Sequence, residues 1–262
     1  MLATRTKNQD NPAIFGEGVM MRMALTVAAA MVLVTPARAA DVTLLCSNAL
    51  KSVMEELGPR FEQASGHRLM IVYGSSGPLK ARVDKGEAFD LAILAAGAID
   101  GLIKDGKLAG RSEVVSSGMG VAIRKGAPKP DLSSTEAFKR TVLNAKSIAF
   151  SEDGVSGTYL KGLFQRLGIA DEVKPKTVHG RGAEMVADGK AELGVTQISE
   201  ILEVAGVEVA GPLPRDVQQV TAFPAAVSTT AKAPDAARAL LKYLTTPEAA
   251  AVMRSKGLEP RA

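Results

Sequence analysis

Short apolar runs alternate with stretches whose apolar residues recur at helical spacing, from residue 42 almost to the C-terminus. Runs of the first kind fit strands covered on both faces, and the amphipathic stretches between them fit the covering helices. The pattern predicts strands at Val42–Cys46, Arg68–Tyr73, Leu91–Ala95, Met119–Arg124, Ser147–Phe150, Lys174–Val178, Leu193–Gln197 and Val207–Pro212, with another near Val220–Val227. Helices are expected over Ala49–Gln63, Leu79–Lys85, Ala98–Asp105, Thr135–Asn144, Gly157–Leu167, Gly182–Asp188, Pro234–Leu244 and Pro247–Ser255. Pro78, Pro234 and Pro247 stand in first helical turns, where the missing N–H has no intrahelical partner to lose.

Strand and helix in strict turn predict an α/β protein. The order further predicts two lobes, each a mainly parallel sheet flanked by helices, with a ligand cleft between them. Residues 41–120 and 223–262 are expected to form the first lobe and residues 121–222 the second. Two crossings, near Gly120–Arg124 and Thr221–Phe223, would then act as a hinge. In open α/β sheets a ligand sits beyond the carboxyl ends of the strands, so the loops at those ends are the places to search.

Composition narrows the function. Residues 1–40 read as a signal peptide: Met21-Arg22-Met23 gives the positive start, Ala24 to Thr35 the apolar centre, and Pro36 to Ala40 a small-x-small cleavage site near Ala39/Ala40. Residues 1–19 ahead of it fit an upstream start codon. Export to the periplasm is therefore expected. Without that segment 28 basic residues face 26 acidic ones, a balance that gives no reason to expect nucleic acid or a membrane surface. Trp is absent and aromatics make up 4% of the chain, too few for base-stacking or sugar-stacking platforms. The one cysteine, Cys46, excludes an internal disulfide and follows the apolar Val42–Leu45, so a buried strand position is expected. Leu45 before it is too large for a lipid-anchor signal. No His/Cys/carboxylate cluster with ligand spacing, no Gly-x-Ser-x-Gly elbow and no nucleotide-binding glycine pattern occurs, so neither a metal nor a cofactor is expected.

The chemistry lies in the loops. Tyr73-Gly74-Ser75-Ser76-Gly77-Pro78-Leu79-Lys80 joins strand to helix through small polar residues. The first N–H groups of such a helix lack partners, and two hydroxyls lie beside the positive end of its dipole. Ser47-Asn48 follows the first strand in the same way. Ser151 to Thr158, with Ser156, Gly157 and Thr158 at its end, does so in the second half, and His179-Gly180-Arg181-Gly182 repeats the arrangement one unit later. Each loop alone is an ordinary cap; four of them in corresponding positions predict a small-anion site. Arg181 can clamp a carboxylate with two parallel hydrogen bonds.

The chain resembles the periplasmic molybdate-binding (ModA-like) family of solute-binding proteins over almost all of residues 41–262. The likeness rests on Cys46-Ser47-Asn48-Ala49-Leu50, Tyr73 to Leu79, Phe89-Asp90-Leu91-Ala92-Ile93, Val155 to Lys161 and Glu192-Leu193-Gly194-Val195. It implies a type II periplasmic binding protein fold. It also implies an oxyanion held by serines matching Ser47 and Ser75 or Ser76, by backbone donors near Ser156 and Gly180, and by a tyrosine at the place of Gln197. Gln197 departs from that pattern. Gln197-Ile198-Ser199-Glu200, Gly211-Pro212-Leu213-Pro214 and Gly257-Leu258-Glu259-Pro260 resemble a branch that includes periplasmic aconitate isomerases.

That branch implies interconversion of cis- and trans-aconitate by an allylic proton shift, with a tricarboxylate held by the serines, Thr158 and Arg181. His179 is the expected base, because an unperturbed imidazole titrates near working pH; Glu152, Asp153 and Tyr159 remain alternatives. The other reading is a carrier that hands an oxyanion or organic polycarboxylate to an ABC permease. A monomer is expected on either reading, since a one-ligand scaffold needs no partner subunit.

Overall fold

The structure is a computed structural model and describes residues 39–261. The expected signal peptide, residues 1–40, lies outside the described residues except for its last two. The first half runs β1 (Asp41–Ser47), α1 (Lys51–Ser65), β2 (Arg68–Gly74), α2 (Ser76–Asp84), β3 (Leu91–Ile93), α3 (Ala96–Lys104) and β4 (Leu108–Arg124). Then follow α4 (Thr135–Asn144), β5 (Ile148–Phe150), α5 (Val155–Arg166), α6 (Ala170–Val173), β6 (Thr177–His179), α7 (Gly182–Ala187), β7 (Leu193–Gln197) and α8 (Ile198–Leu202). The chain closes with β8 (Val207–Pro212), β9 (Val220–Ser228), α9 (Pro234–Leu244), α10 (Pro247–Ser255) and β10 (Glu259–Pro260).

The strands form one path in the order β2-β1-β3-β9-β4-β7-β5-β6, with β8 and β10 also paired to β4. The outer strands of each half are parallel: β1 with β2 and β3, and β5 with β6 and β7. The strands that join the halves are antiparallel. β4 is the shared element. Up to Gly118 it pairs with β9, and from Met119 onward with β7 and β8. The main cores follow this division. In the first half Leu44, Met54, Phe61, Ile93 and Leu240 pack in one cluster and Leu45, Leu79, Ile99 and Leu102 in another; in the second half Val121, Phe138, Phe150, Leu160 and Val195 pack together.

Local chemistry explains most boundaries. Ser134 caps α4 by accepting from the Ala137 N–H at 3.1 Å, and Thr246 caps α10 from Ala249 at 3.3 Å. At the crossing of β4 and the chain before β9, Gln218 holds four main-chain groups. Its Oε1 accepts from Met119 and Gln219 N–H, each at 2.9 Å, and its Nε2 donates to the carbonyls of Met119 at 3.0 Å and Leu213 at 3.4 Å.

Three expectations shift. β4 starts at Leu108, well before Met119, because Gly110-Arg111-Ser112-Glu113 breaks the alternation while the ladder to β9 absorbs it in two register shifts. The segment expected as a strand from Lys174 opens as a 3-10 turn, Lys174–Lys176, around Pro175, and the strand begins only at Thr177. The short helices α6 and α8 were not expected at all. Cys46 is fully buried as expected, and burial raises its thiol pKa.

Candidate functional site

The helices α2 and α5 begin at the carboxyl ends of β2 and β5, one from each half, and their starts meet. A Cβ on Gly77 would lie 3.3 Å from the Asp153 carbonyl oxygen. The first intrahelical bonds are Leu79 N–H to Ser75 O and Thr158 N–H to Gly154 O, so the N–H groups before them have no helical partner. Neither helix has a side-chain cap. Both dipoles turn their positive ends to the gap between the halves.

A cavity of about 30 Å3 lies in that gap. The first half lines it with Ser47, Ser75, Ser76 and Phe223, and the second with Gly154–Ser156, Gln197 and Glu200. It has room for about one water, so a larger guest needs the two walls to part. Ser47, Ser76 and Gln197 are nearly inaccessible, at 5%, 4% and 3% exposure. The Ser76 Oγ accepts from the Ala95 N–H at 2.9 Å, which leaves its own proton free to be donated. The Ser47 Oγ accepts from the Ala49 N–H at 3.4 Å and is free in the same sense. A wider crevice of about 730 Å3 shares Ser76, Gly154 and Val155 with the cavity.

Gln197 ends β7 and donates through Nε2 to the Ser156 Oγ at 3.4 Å and to the Thr221 Oγ1 at 3.2 Å. Its Oε1 is buried and has no partner among the described residues. An unpartnered buried amide oxygen costs roughly 1–3 kcal/mol. The amide turned end for end moves that cost onto a donor: both hydroxyls then donate to Oε1, and the NH2 is the unpartnered group, which a bound anion would satisfy. Gln197 can thus stand where the resemblance places a tyrosine donor.

Glu200 is the residue that sequence reasoning missed. It sits in α8, which follows β7 with no polar punctuation, and the signal available was a glutamate three residues after a helix-capping position. Thr196 Oγ1 donates to its Oε2, and among the described residues its Oε1 has no hydrogen-bond partner. Burial raises the Glu200 pKa; the Thr196 hydrogen bond and the Arg181 charge oppose the rise.

The remaining expected residues lie outside the small cavity, with Asp153, Thr158 and Tyr159 along the wider crevice. His179 is 52% exposed, packs edge-on to Phe150, and lines a separate crevice of about 290 Å3 with Glu152, Lys161 and Phe164. Its Nδ1 is 3.9 Å from a Glu152 oxygen, and Glu152 in turn pairs with Lys161 at 3.1 Å, which lowers the Glu152 pKa. The Arg181 guanidinium is held on both sides, by Glu184 and by Glu203, and so is not free to clamp a carboxylate. Burial raises the Glu203 pKa against the pull of Arg181. The Gly180 N–H donates to the Phe150 carbonyl at 3.3 Å.

Gly157 is required by packing: a Cβ there would fall 1.7 Å from the Ser151 carbonyl oxygen. Gly182 serves the same purpose in α7, 2.9 Å from the Ala149 oxygen. Thr158 is exposed and its hydroxyl bonds back to the Gly154 carbonyl at 3.2 Å. Tyr159 donates to the Val217 carbonyl at 2.9 Å, Asp153 is exposed beside the wider crevice, and Asn48 opens the 3-10 turn after Ser47. The structure therefore brings together Ser47, Ser75, Ser76, Ser156 and Gln197, and places His179 and Arg181 outside that group.

The family of bacterial extracellular solute-binding proteins matches residues 42–259. An aconitate isomerase from Pseudomonas sp is 34% identical over 252 residues, covering 90% of this chain and 95% of that protein. The molybdate-binding protein ModA of Rhodobacter capsulatus is 25% identical over 239 residues, with 89% and 94% covered. Among solved structures, the Azotobacter vinelandii periplasmic molybdate-binding protein superposes with a TM-score of 0.70 at 18% identity, covering 84% of this chain and all of that one. The sulfate-binding protein SubI from Mycobacterium tuberculosis H37Rv gives 0.69 at 17% identity, with 84% and 87% covered. The structural likenesses show the fold, the type II periplasmic binding protein architecture expected from the sequence.

Proposed function

The chain belongs to the bacterial extracellular solute-binding proteins, and on that premise we propose that it is an exported isomerase interconverting cis- and trans-aconitate in its cleft. The observation that carries this reading is the 34% identity to an aconitate isomerase across 90% of the chain. The site is compatible with it. Hydroxyls from both halves and two helix N-termini suit carboxylates, and they would stabilise the negative charge that spreads through the substrate as a proton leaves carbon. The wider crevice beside the cavity offers room for the part of a six-carbon acid that the serines do not hold.

On this reading Ser47, Ser75, Ser76, Ser156 and Gln197 grip the tricarboxylate. Residues 41–120 with 223–262 move as one body against residues 121–222, and opening admits the substrate. The second reading, a carrier for an oxyanion or polycarboxylate serving an ABC permease, is favoured by the likeness to molybdate-binding proteins. Purified protein mixed with excess cis-aconitate separates the two. The proposal expects trans-aconitate to form over many turnovers, followed by chromatography; binding at one equivalent without product leaves the carrier.

A further inference from the structure

Glu200 is the one ionisable side chain among the described residues lining the cavity between the serines of the two halves. We infer that Glu200 is the group that takes the proton from the substrate and returns it, acting as a single base on one face; this rests on the isomerase reading above. Its position is built by the fold. β7 delivers Gln197 to the cavity wall, α8 begins at once, and Glu200 comes round one turn later beside it. Thr196 fixes one carboxylate oxygen by donating to Oε2, which leaves Oε1 for the substrate.

The step balances without an outside reagent. The Glu200 carboxylate takes a proton from the methylene carbon, and the C–H electron pair becomes a double bond to the central carbon. The former double-bond pair shifts to the far carbon, giving an extended enolate whose charge rests on the carboxylates held by the serines and helix starts. The Glu200 carboxyl then gives the same proton to the far carbon. One C–H bond breaks, one forms, and the double bond has moved one place. Nothing is oxidised or reduced.

A carboxylate in an anion site opposes its own ligand unless its environment favours the proton. Burial supplies that bias here, and it strengthens the group as a base. The charged groups around it are Arg181, Glu203 and Glu184. Arg181 is occupied by the two glutamates and His179 lines another crevice, so neither competes for the proton.

The test uses wild type and Glu200→Gln with cis-aconitate. Calorimetry is expected to show binding within about threefold of wild type, whereas kcat should fall by about 100-fold or more, the usual share of a general base. A Glu200→Gln protein that turns over within tenfold of wild type overturns the inference while leaving the isomerase reading intact. A wild-type protein that binds and never turns over overturns both. A second measurement needs no variant. With substrate deuterated at the methylene, early product should keep part of the label on the far carbon. Complete exchange with solvent in the first turnovers excludes a single shielded base.

Discussion

The loop before α2 and the loop before α7 are alike in sequence: each links a strand to a helix through glycine and small or polar residues. Their fates differ. The hydroxyls of Ser75 and Ser76 line the cavity, while Arg181 in the other loop is consumed by Glu184 and Glu203 and His179 faces a different crevice. The difference is made by what packs opposite. The start of α2 meets another helix start, which brings more unpaired donors. The start of α7 meets carboxylates, Glu184 from its own first turn and Glu203 from the end of α8. A loop's composition states what it can offer, and only its neighbour decides whether the offer remains open.

The largest test of that comparison concerns the loop before α5, the partner of α2. Gly157→Ala drives a methyl into the Ser151 carbonyl and should cost about 4 kcal/mol or more, a fall in Tm of roughly 10 °C measured calorimetrically. An unshifted Tm would mean that main-chain contact does not set this helix start.

Arg181→Ala comes next. It strands the largely buried Glu203, which Lys51 only partly offsets, and should cost about 2 kcal/mol at neutral pH in denaturant unfolding. The Glu203 pKa is already raised in the folded protein, so its contribution is favourable below the unfolded carboxylate value, about 4.3, and declines as pH rises. Without Arg181 the folded pKa rises further. The variant should match wild type near that value and lag increasingly toward neutrality; a deficit independent of pH would remove Glu203 from the account. Smaller still is Ser76→Ala, which leaves the Ala95 N–H unmatched and removes one cavity donor. It should cost about 1 kcal/mol of stability and roughly tenfold in aconitate affinity, and unchanged affinity would put the ligand elsewhere. His179→Ala should do least: stability within about 0.5 kcal/mol of wild type and the same turnover. A large loss of activity would restore the imidazole as the base.

The serine loops and both halves of the α/β pattern were legible because strand runs, caps and first-turn prolines are local signals. What escaped was tertiary. The first part of β4 is polar along Arg111-Ser112-Glu113, and its partner β9 lies over a hundred residues away. Glu200 lies in a five-residue helix too short for periodicity, and its meaning comes from burial beside Gln197. The charge on Arg181 was visible in the sequence, but its cancellation was not, since Glu203 reaches it from a different helix.

Gln218 carries a mechanical consequence. By gripping Met119, Leu213 and Gln219 at once, it rivets the two polypeptide links into a single stiff bridge. In the proposed opening, flexing would occur on either side of this fulcrum, and the jaws would follow a narrow arc back to the same bite.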